Sequence, residues 1–340
     1  MHRRSPPLQL LLLICVAALL SGCAGMGALR QEDVAGKTFV VTGASSGFGR
    51  GVALRLGALR ANVVLAARRV DLLEEVGSQV TASGGQALVV PTDVARADEM
   101  ARLAQATVAR FGRIDVWINN AGLGAVGRFE DIPIEDHSRL IDVNLKGVIH
   151  GSHVALRQFR SQGHGSLVNI GSVESEVPLA YQASYSASKA AVLSLGRALN
   201  EEIRLSGSQA IAVSTVMPWA ADTPFFVHAA NYSGGRVRAP LPDDPQKVVD
   251  AIVWVSLNPR EELPVGWKAT AATLSHRLAP DLTERFAADI YHRVQIETAP
   301  PAPPTSGALH APTAEGRGVE GGLRERMKRE DAARREQARP

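Results

Sequence analysis

Hydrophobic and polar positions divide the chain into three regimes. The first is an apolar run over 8–20, broken only by Gln9 and preceded by Met1-His2-Arg3-Arg4. It is shorter than the roughly 20 apolar residues of a comfortable bilayer span. A positive start, a short apolar core and small residues after it describe a secretory signal segment. The second regime reaches from Lys37 to about Val294 and alternates short β-rich apolar runs with amphipathic stretches. The runs predict strands over 38–42, 62–67, 87–91, 115–118, 166–171 and 210–216. Several are apolar throughout, as strands buried on both faces are. Helical spacing lies between them, for example over 49–59, 98–110 and 185–205. Repeated β-α-β units predict one α/β domain around a doubly wound parallel sheet of about seven strands. The third regime begins after Ile296. Ala299-Pro300-Pro301-Ala302-Pro303-Pro304 reads as a proline-rich linker, and 316–340 carries eight basic and five acidic residues. That composition predicts a charged, solvated tail unable to bury a core. The expected organisation is therefore a signal or anchor over 1–23, a linker over 24–35, the α/β domain over 36–297, and linker plus disordered tail over 298–340. No internal repeat interrupts it.

Composition sharpens this picture in two places. Of 340 residues, 45% are hydrophobic and 21% charged, which fits a globular protein and excludes a disordered one. The formal charge of +3 is too balanced for a dedicated nucleic-acid binder, so no nucleic-acid partner is expected. The two cysteines, Cys15 and Cys23, both lie in the leader. This excludes a disulfide scaffold and a cysteine-rich zinc module, and no metal site is expected.

The end of the leader, Leu20-Ser21-Gly22-Cys23, resembles the lipobox of bacterial lipoproteins. The resemblance implies cleavage before Cys23 and lipid on its thiol. Acyl chains would hold the protein on a membrane surface, at about 0.8 kcal/mol per buried methylene. The expected location is the periplasmic face of a membrane. The alternative is an uncleaved N-terminal anchor carrying a cytoplasmic domain. Arg3-Arg4 hints at twin-arginine export, but the residues after the pair fit that pattern poorly.

After the first strand the chain reads Thr42-Gly43-Ala44-Ser45-Ser46-Gly47-Phe48-Gly49. Glycines where a strand turns into a helix let the backbone approach a pyrophosphate, and the helix start aims N–H groups and a positive dipole end at it. A lone glycine-rich loop is weak; its place in a β-α-β unit gives it meaning. The spacing Gly-x-x-x-Gly-x-Gly after Thr42 resembles the short-chain dehydrogenase/reductase family, whose fold is Rossmann-like. Further motifs follow in the family's order: Asp93-Val94 ending the third strand, and Asn119-Asn120-Ala121-Gly122 closing the fourth. The resemblance implies a nicotinamide dinucleotide held by Thr42, Gly43, Ser45, Ser46, Gly47, Phe48, Gly49, Asp93, Val94, Asn120, Ala121 and Gly122. At the end of the second strand, where an NAD enzyme normally has a carboxylate, stands Ala67, followed by Arg68. A carboxylate would repel a 2′-phosphate, whereas a guanidinium binds it. NADP(H) is therefore favoured over NAD(H). The alternative is that Arg68 and Arg69 are surface charges at a helix start.

Tyr185 and Lys189 stand four apart, on one helical face. A free phenol is a poor base at neutral pH. A nearby ammonium favours the phenolate and fits it for proton exchange with a carbonyl or alcohol oxygen. A bare Tyr-x-x-x-Lys is a common chance pattern. The resemblance completes it, matching Ser172 to the family serine that bonds the substrate oxygen and Asn144 to the asparagine that holds a water in the proton relay. Tyr181 has no matching lysine and reads as a core or rim residue. Pro218 and Thr223 match the family's cofactor loop after the sixth strand, Thr223 facing the nicotinamide carboxamide; Trp219 stands where the family has glycine. Glu174, Ser184 and Trp219, with Ser172, are the candidate substrate contacts, and 225–245 the candidate substrate loop. The resemblance implies reversible hydride transfer between the cofactor and a small-molecule carbonyl or alcohol. It also allows a homo-dimer or tetramer through the Tyr185 helix. The alternative is a catalytically inactive nucleotide-binding or surface interaction protein on the same fold.

Overall fold

The computed structural model describes Gly27 and residues 29–337. The leader and Cys23, with the expectations attached to them, lie outside the described residues. A short helix α1 (Gln31–Val34) precedes strand β1 (Thr38–Thr42), helix α2 (Gly47–Ala58), β2 (Asn62–Ala67), α3 (Val70–Ala82), β3 (Gln86–Pro91), α4 (Ala97–Phe111) and β4 (Val116–Asn119). Then come β5 (Ala125–Val126), α5 (Ile134–Ile141), a π-helical turn (Asp142–Lys146), α6 (Gly147–Gln162), β6 (Gly165–Ile170) and α7 (Ala183–Leu205). The chain continues through β7 (Ile211–Pro218), α8 (Phe225–His228), β8 (Ala230–Asn231), α9 (Pro245–Leu257), β9 (Glu262–Val265), α10 (Gly266–Leu278), α11 (Pro280–His292) and α12 (Leu323–Gln337).

Seven strands form one parallel sheet in the order β3-β2-β1-β4-β6-β7-β9. β1 explains the layering. All five of its residues are buried, and alternate side chains enter opposite cores. Phe39 and Val41 pack with Leu56, Val76 and Ile252 on one face. Val40 packs with Trp117, Phe159 and Leu167 on the other. The period of two splits the apolar run between two helical layers. The order reverses between β1 and β4, and the crevice at their carboxyl ends is where α/β sheets take ligands. β9, at the far edge, carries Pro264, which an edge strand tolerates.

The segment beyond residue 297 differs from its expectation. It is laid across the domain rather than solvated. Ala308 and Leu309 are buried in the second core, Thr305 bridges Asn231, and α12 is fastened at its start by Asp222. The Asp222 carboxylate accepts the N–H groups of Leu323 at 2.6 Å and Arg324 at 3.1 Å. Among the described residues no helix is long and apolar enough to cross a membrane.

Candidate active site

β1 and β4 deliver the cofactor end of the crevice. Between Thr42 and α2 the chain turns so tightly that a Cβ on Gly49 would stand 2.3 Å from Gly43 O and 2.6 Å from Asn120 Nδ2. Only glycine allows that approach of helix to strand. Asn120 Nδ2 donates to Thr42 O at 2.8 Å. Thr42 Oγ1 donates to Ile118 O and accepts from the N–H groups of Asn120 at 2.9 Å and Ala121 at 3.1 Å. Thr42, read as a cofactor contact, thus spends its hydroxyl fastening β1 to β4. Gly43, Ser45, Ser46, Gly47, Phe48, Asp93, Val94, Asn120, Ala121 and Gly122 all line one cavity of about 780 Å³. Asp93 is half-buried, which works to raise its pKa. The Arg139 guanidinium at 2.5 Å and the Ala95 N–H more than offset this and hold the carboxyl below its ordinary value.

At the end of β2 two arginines face that cavity. Arg69 donates from Nη2 to Ser46 Oγ at 2.7 Å and to Ser45 Oγ at 3.2 Å. Arg68 donates from Nη2 to Ala308 O at 2.6 Å and from Nη1 to Leu309 O at 3.2 Å. The sequence pattern singled out Arg68; the structure brings Arg69 to the glycine loop as well. Burial lowers the pKa of both, opposed by Asp93 at Arg68 and by Asp71 at Arg69.

The tetrad comes from three places in the chain: the π-turn, the end of β6, and α7. Asn144 sits in the π-turn, fully buried, a local geometry frequent at functional sites. Its Oδ1 accepts the Leu123 N–H, and its Nδ2 donates to Leu123 O, both at 2.8 Å. Ser172 follows β6, with Oγ accepting the Glu174 N–H at 3.1 Å. Tyr185 and Lys189 share a face of α7. Lys189 Nζ donates to Ile170 O at 2.8 Å and lies 5.7 Å from the Tyr185 ring centre. Tyr185 and Lys189 line the same cavity as the glycine loop despite their distance in sequence; the Ser172 hydroxyl bonds the Tyr185 phenol, and Asn144 is buried behind Gly122.

The electrostatics differ from the spacing argument. Burial, then the Glu174 carboxylate, push the Tyr185 phenol well above its usual range, and the Ser172 hydroxyl only partly opposes them. The ammonium does not lead: burial brings Lys189 itself down to about 8. Glu174 is buried beside both, accepts from Ser186 Oγ at 2.7 Å, and is pushed up to about 8 by that burial. The resting arrangement is a neutral phenol, a proton donor rather than a base.

Among the other substrate candidates, Trp219 lines the cavity and donates from Nε1 to Pro240 O at 3.0 Å. Pro218 and Thr223 line it too. Ser184 does not: its Oγ lies 2.7 Å from His137 Nδ1. Tyr181 bonds His292 Nδ1 at 2.7 Å, at the rim. Leu241, from the candidate substrate loop, lines the mouth with Trp267, Leu282 and Phe286, all mostly exposed; sequence reasoning missed these last three.

The family model of the short chain dehydrogenases matches residues 37–231. An uncharacterized oxidoreductase, YxnA, of Bacillus subtilis is 29% identical over 83% of this chain and 80% of its own. A short-chain dehydrogenase from Streptomyces avermitilis is similar with a TM-score of 0.62 and 30% identity, over 73% of this chain and 96% of its own. A metagenomic short-chain oxidoreductase solved in complex with NADP has a TM-score of 0.57 and 30% identity, over 69% and 98% of the two chains. With the glycine loop and the tyrosine–lysine pair on one cavity of a seven-stranded parallel sheet, the chain belongs to the short-chain dehydrogenase family and is an oxidoreductase of that type.

Proposed function

We propose that the protein is an NADP(H)-dependent oxidoreductase that interconverts a carbonyl and an alcohol and takes a substrate with an apolar body. One observation carries the reading. A single cavity joins the glycine loop and two arginines at one end to Tyr185 and Lys189 at the other. The residues fit a dinucleotide phosphate: a glycine cradle that a Cβ would fill, the start of α2, and half-buried guanidinium groups without a carboxylate at the end of β2. Arg68 and Arg69 would hold the 2′-phosphate. Two neighbours support that choice, the metagenomic oxidoreductase in complex with NADP and a Thermococcus sibiricus alcohol dehydrogenase complexed with 5-hydroxy-NADP, 27% identical with a TM-score of 0.57.

When bound, the nicotinamide supplies or accepts a hydride. The chain's own residues handle the rest. Ser172 and Tyr185 take up the substrate oxygen by hydrogen bonds. Tyr185, neutral by burial, gives that oxygen a proton as charge grows on it, a contribution of about 10²–10⁴ in rate. Lys189, held between Ile170 O and the phenol, stabilises the anion left on Tyr185. Asn144 fixes the backbone of Leu123 beside Gly122 and Lys189. The apolar wall of Trp219, Phe226, Trp267 and Phe286 favours an apolar substrate.

Titration of the purified protein with NADPH and NADH, followed by cofactor fluorescence, tests the cofactor, and Tyr185→Phe tests the chemistry. NADPH is expected to bind more tightly, with Arg68→Ala and Arg69→Ala narrowing the gap. Tyr185→Phe is expected to bind NADPH normally and to lose carbonyl reduction by about 10²-fold or more. Failure of the folded protein to bind either dinucleotide would favour the inactive reading. Membrane attachment through Cys23 is part of the same proposal; mass spectrometry of the native N-terminus tests it, an unmodified Cys23 arguing against it.

A further inference from the structure

The segment after α11 crosses the cofactor end of the crevice. It leaves the substrate loop where Thr305 and Asn231 exchange backbone hydrogen bonds at 2.8 and 3.0 Å. Its carbonyl groups then meet the cofactor end in sequence. Ala308 O and Leu309 O accept from Arg68, and Leu309 O also from Arg139 at 3.1 Å. The carbonyls of Thr313, Glu315 and Gly316 face Arg69 Nη1 at 3.4, 3.1 and 3.2 Å. Arg317 O accepts from Arg50 at 2.9 Å, and Gly318 O takes the Gly47 N–H at 2.9 Å. Beyond this, Gly321 N–H donates to Asp222 O at 3.1 Å, beside Thr223. The segment does not fill the crevice. Ala308, Pro312 and Thr313 line one side of the cavity whose other sides include Gly43, Arg68, Asp93 and Asn120.

We propose that residues 305–322 are a cofactor-binding element, a strap that roofs the dinucleotide site and must lift before the dinucleotide can enter or leave. This rests on the NADP(H) reading above and adds the means by which the cofactor is retained. A guanidinium has five N–H donors. Arg68 gives two to strap carbonyls, which leaves three for a phosphate on its other edge. The strap therefore orients Arg68 without exhausting it, while Arg69 spends its donors on the strap and on Ser45 and Ser46. It takes the Gly47 amide but neither that of Phe48 nor that of Gly49, which have no partner outside the helix among the described residues. Close seating depends on small residues. A Cβ on Gly316 would stand 2.4 Å from His228 Nε2, and a side chain there would also be strained at φ +69°. Both ends of the strap are fixed, at Asn231 and at Asp222. Opening therefore breaks the middle contacts together and is slow compared with diffusion of a free ligand.

The test is the rate of dinucleotide release from the full chain. A site-specific protease sequence placed over residues 311–314, where Ala311, Pro312 and Ala314 are exposed, allows the strap to be cut after folding, and Gly316→Val dislodges it without a cut. NADPH is loaded, excess NADP⁺ is added as a chase, and fluorescence decay is read; hydrogen exchange over 305–322 is followed in parallel. The expected result is release at least tenfold faster in the cut protein and in Gly316→Val, with weaker equilibrium binding and, in wild type, slower exchange of the strap amides once NADPH is bound. Unchanged release rates in both would overturn the strap while leaving the NADP(H) reading intact. Tighter equilibrium binding after cutting would also overturn it, since the segment would then be a competitor for the arginines. No NADPH binding to the folded wild type would reject the cofactor reading itself.

Discussion

Glu174 is the residue whose chemistry the family pattern does not supply. It lies in the cavity wall between Ser172 and Tyr185, and burial pushes it up to about 8. Unfolded, it loses its proton near its ordinary value of 4.5. Between about pH 4.5 and 8 the native state thus holds a proton that the unfolded state has released, and stability falls as pH rises through that window. Lys189 has the opposite slope. Its native value of about 8 lies below its ordinary 10.5, so above pH 8 the unfolded state binds more protons and stability rises. Glu174→Gln keeps an acceptor for Ser186 and removes the falling limb, a slope of up to about 1.4 kcal/mol per pH unit. Urea unfolding at pH 5, 6, 7 and 8 measures it. Equal slopes in both proteins would mean that the carboxyl ionises before pH 5. Removing the charge also relieves the phenol, so the alkaline rise of alcohol oxidation is expected at lower pH in the variant. The spacing of Tyr185 and Lys189 was legible in the sequence. The order of influences on them was not, because it depends on burial and on Glu174, brought in by the turn after β6.

At the level of elements, apolar runs such as Phe39-Val40-Val41 revealed their strands because a parallel strand between two layers needs both faces apolar. β9 was not so marked: at an edge it carries Glu262 and Pro264. α12 was read as part of a solvated tail; it buries Leu323. What orders it is polar, the Asp222 cap and Arg238, which no hydrophobic pattern shows. α11 has the converse feature. Leu282, Phe286 and Ile290 recur every fourth residue on one exposed stripe beside the cavity mouth. An apolar substrate leaning on that stripe gains roughly 1–2 kcal/mol per large side chain. Phe286→Asp is therefore expected to raise KM for a long-chain apolar carbonyl about 5–30-fold with kcat little changed, and to leave a short polar substrate unaffected. An equal effect on both would argue that the stripe serves something other than the substrate.

For the whole molecule, the substrate loop and the C-terminal segment stand or fall together. Arg238 belongs to the loop yet is among the most buried side chains of the protein, with 2% exposed. Its guanidinium's partners all come from beyond residue 297: Thr298 O at 2.8 Å and Asp331 Oδ1 at 2.7 Å, with the Glu330 carboxylate at 3.8 Å. A charge this far from water needs its partners, and losing one leaves a penalty larger than the pair's net contribution. Asp331 is itself about a third exposed, so the loss is moderated by solvent. Asp331→Ala is expected to cost about 2 kcal/mol, read as a shift of urea midpoint at unchanged slope. Asp331→Asn, which keeps an acceptor, is expected to cost less. Since α12 anchors the far end of the strap through Asp222, the same Asp331→Ala variant should release NADPH faster than wild type. A stability loss with unaltered release would separate the two ends of this segment, leaving α12 as a brace for Arg238 and the grip on the cofactor to residues 305–318.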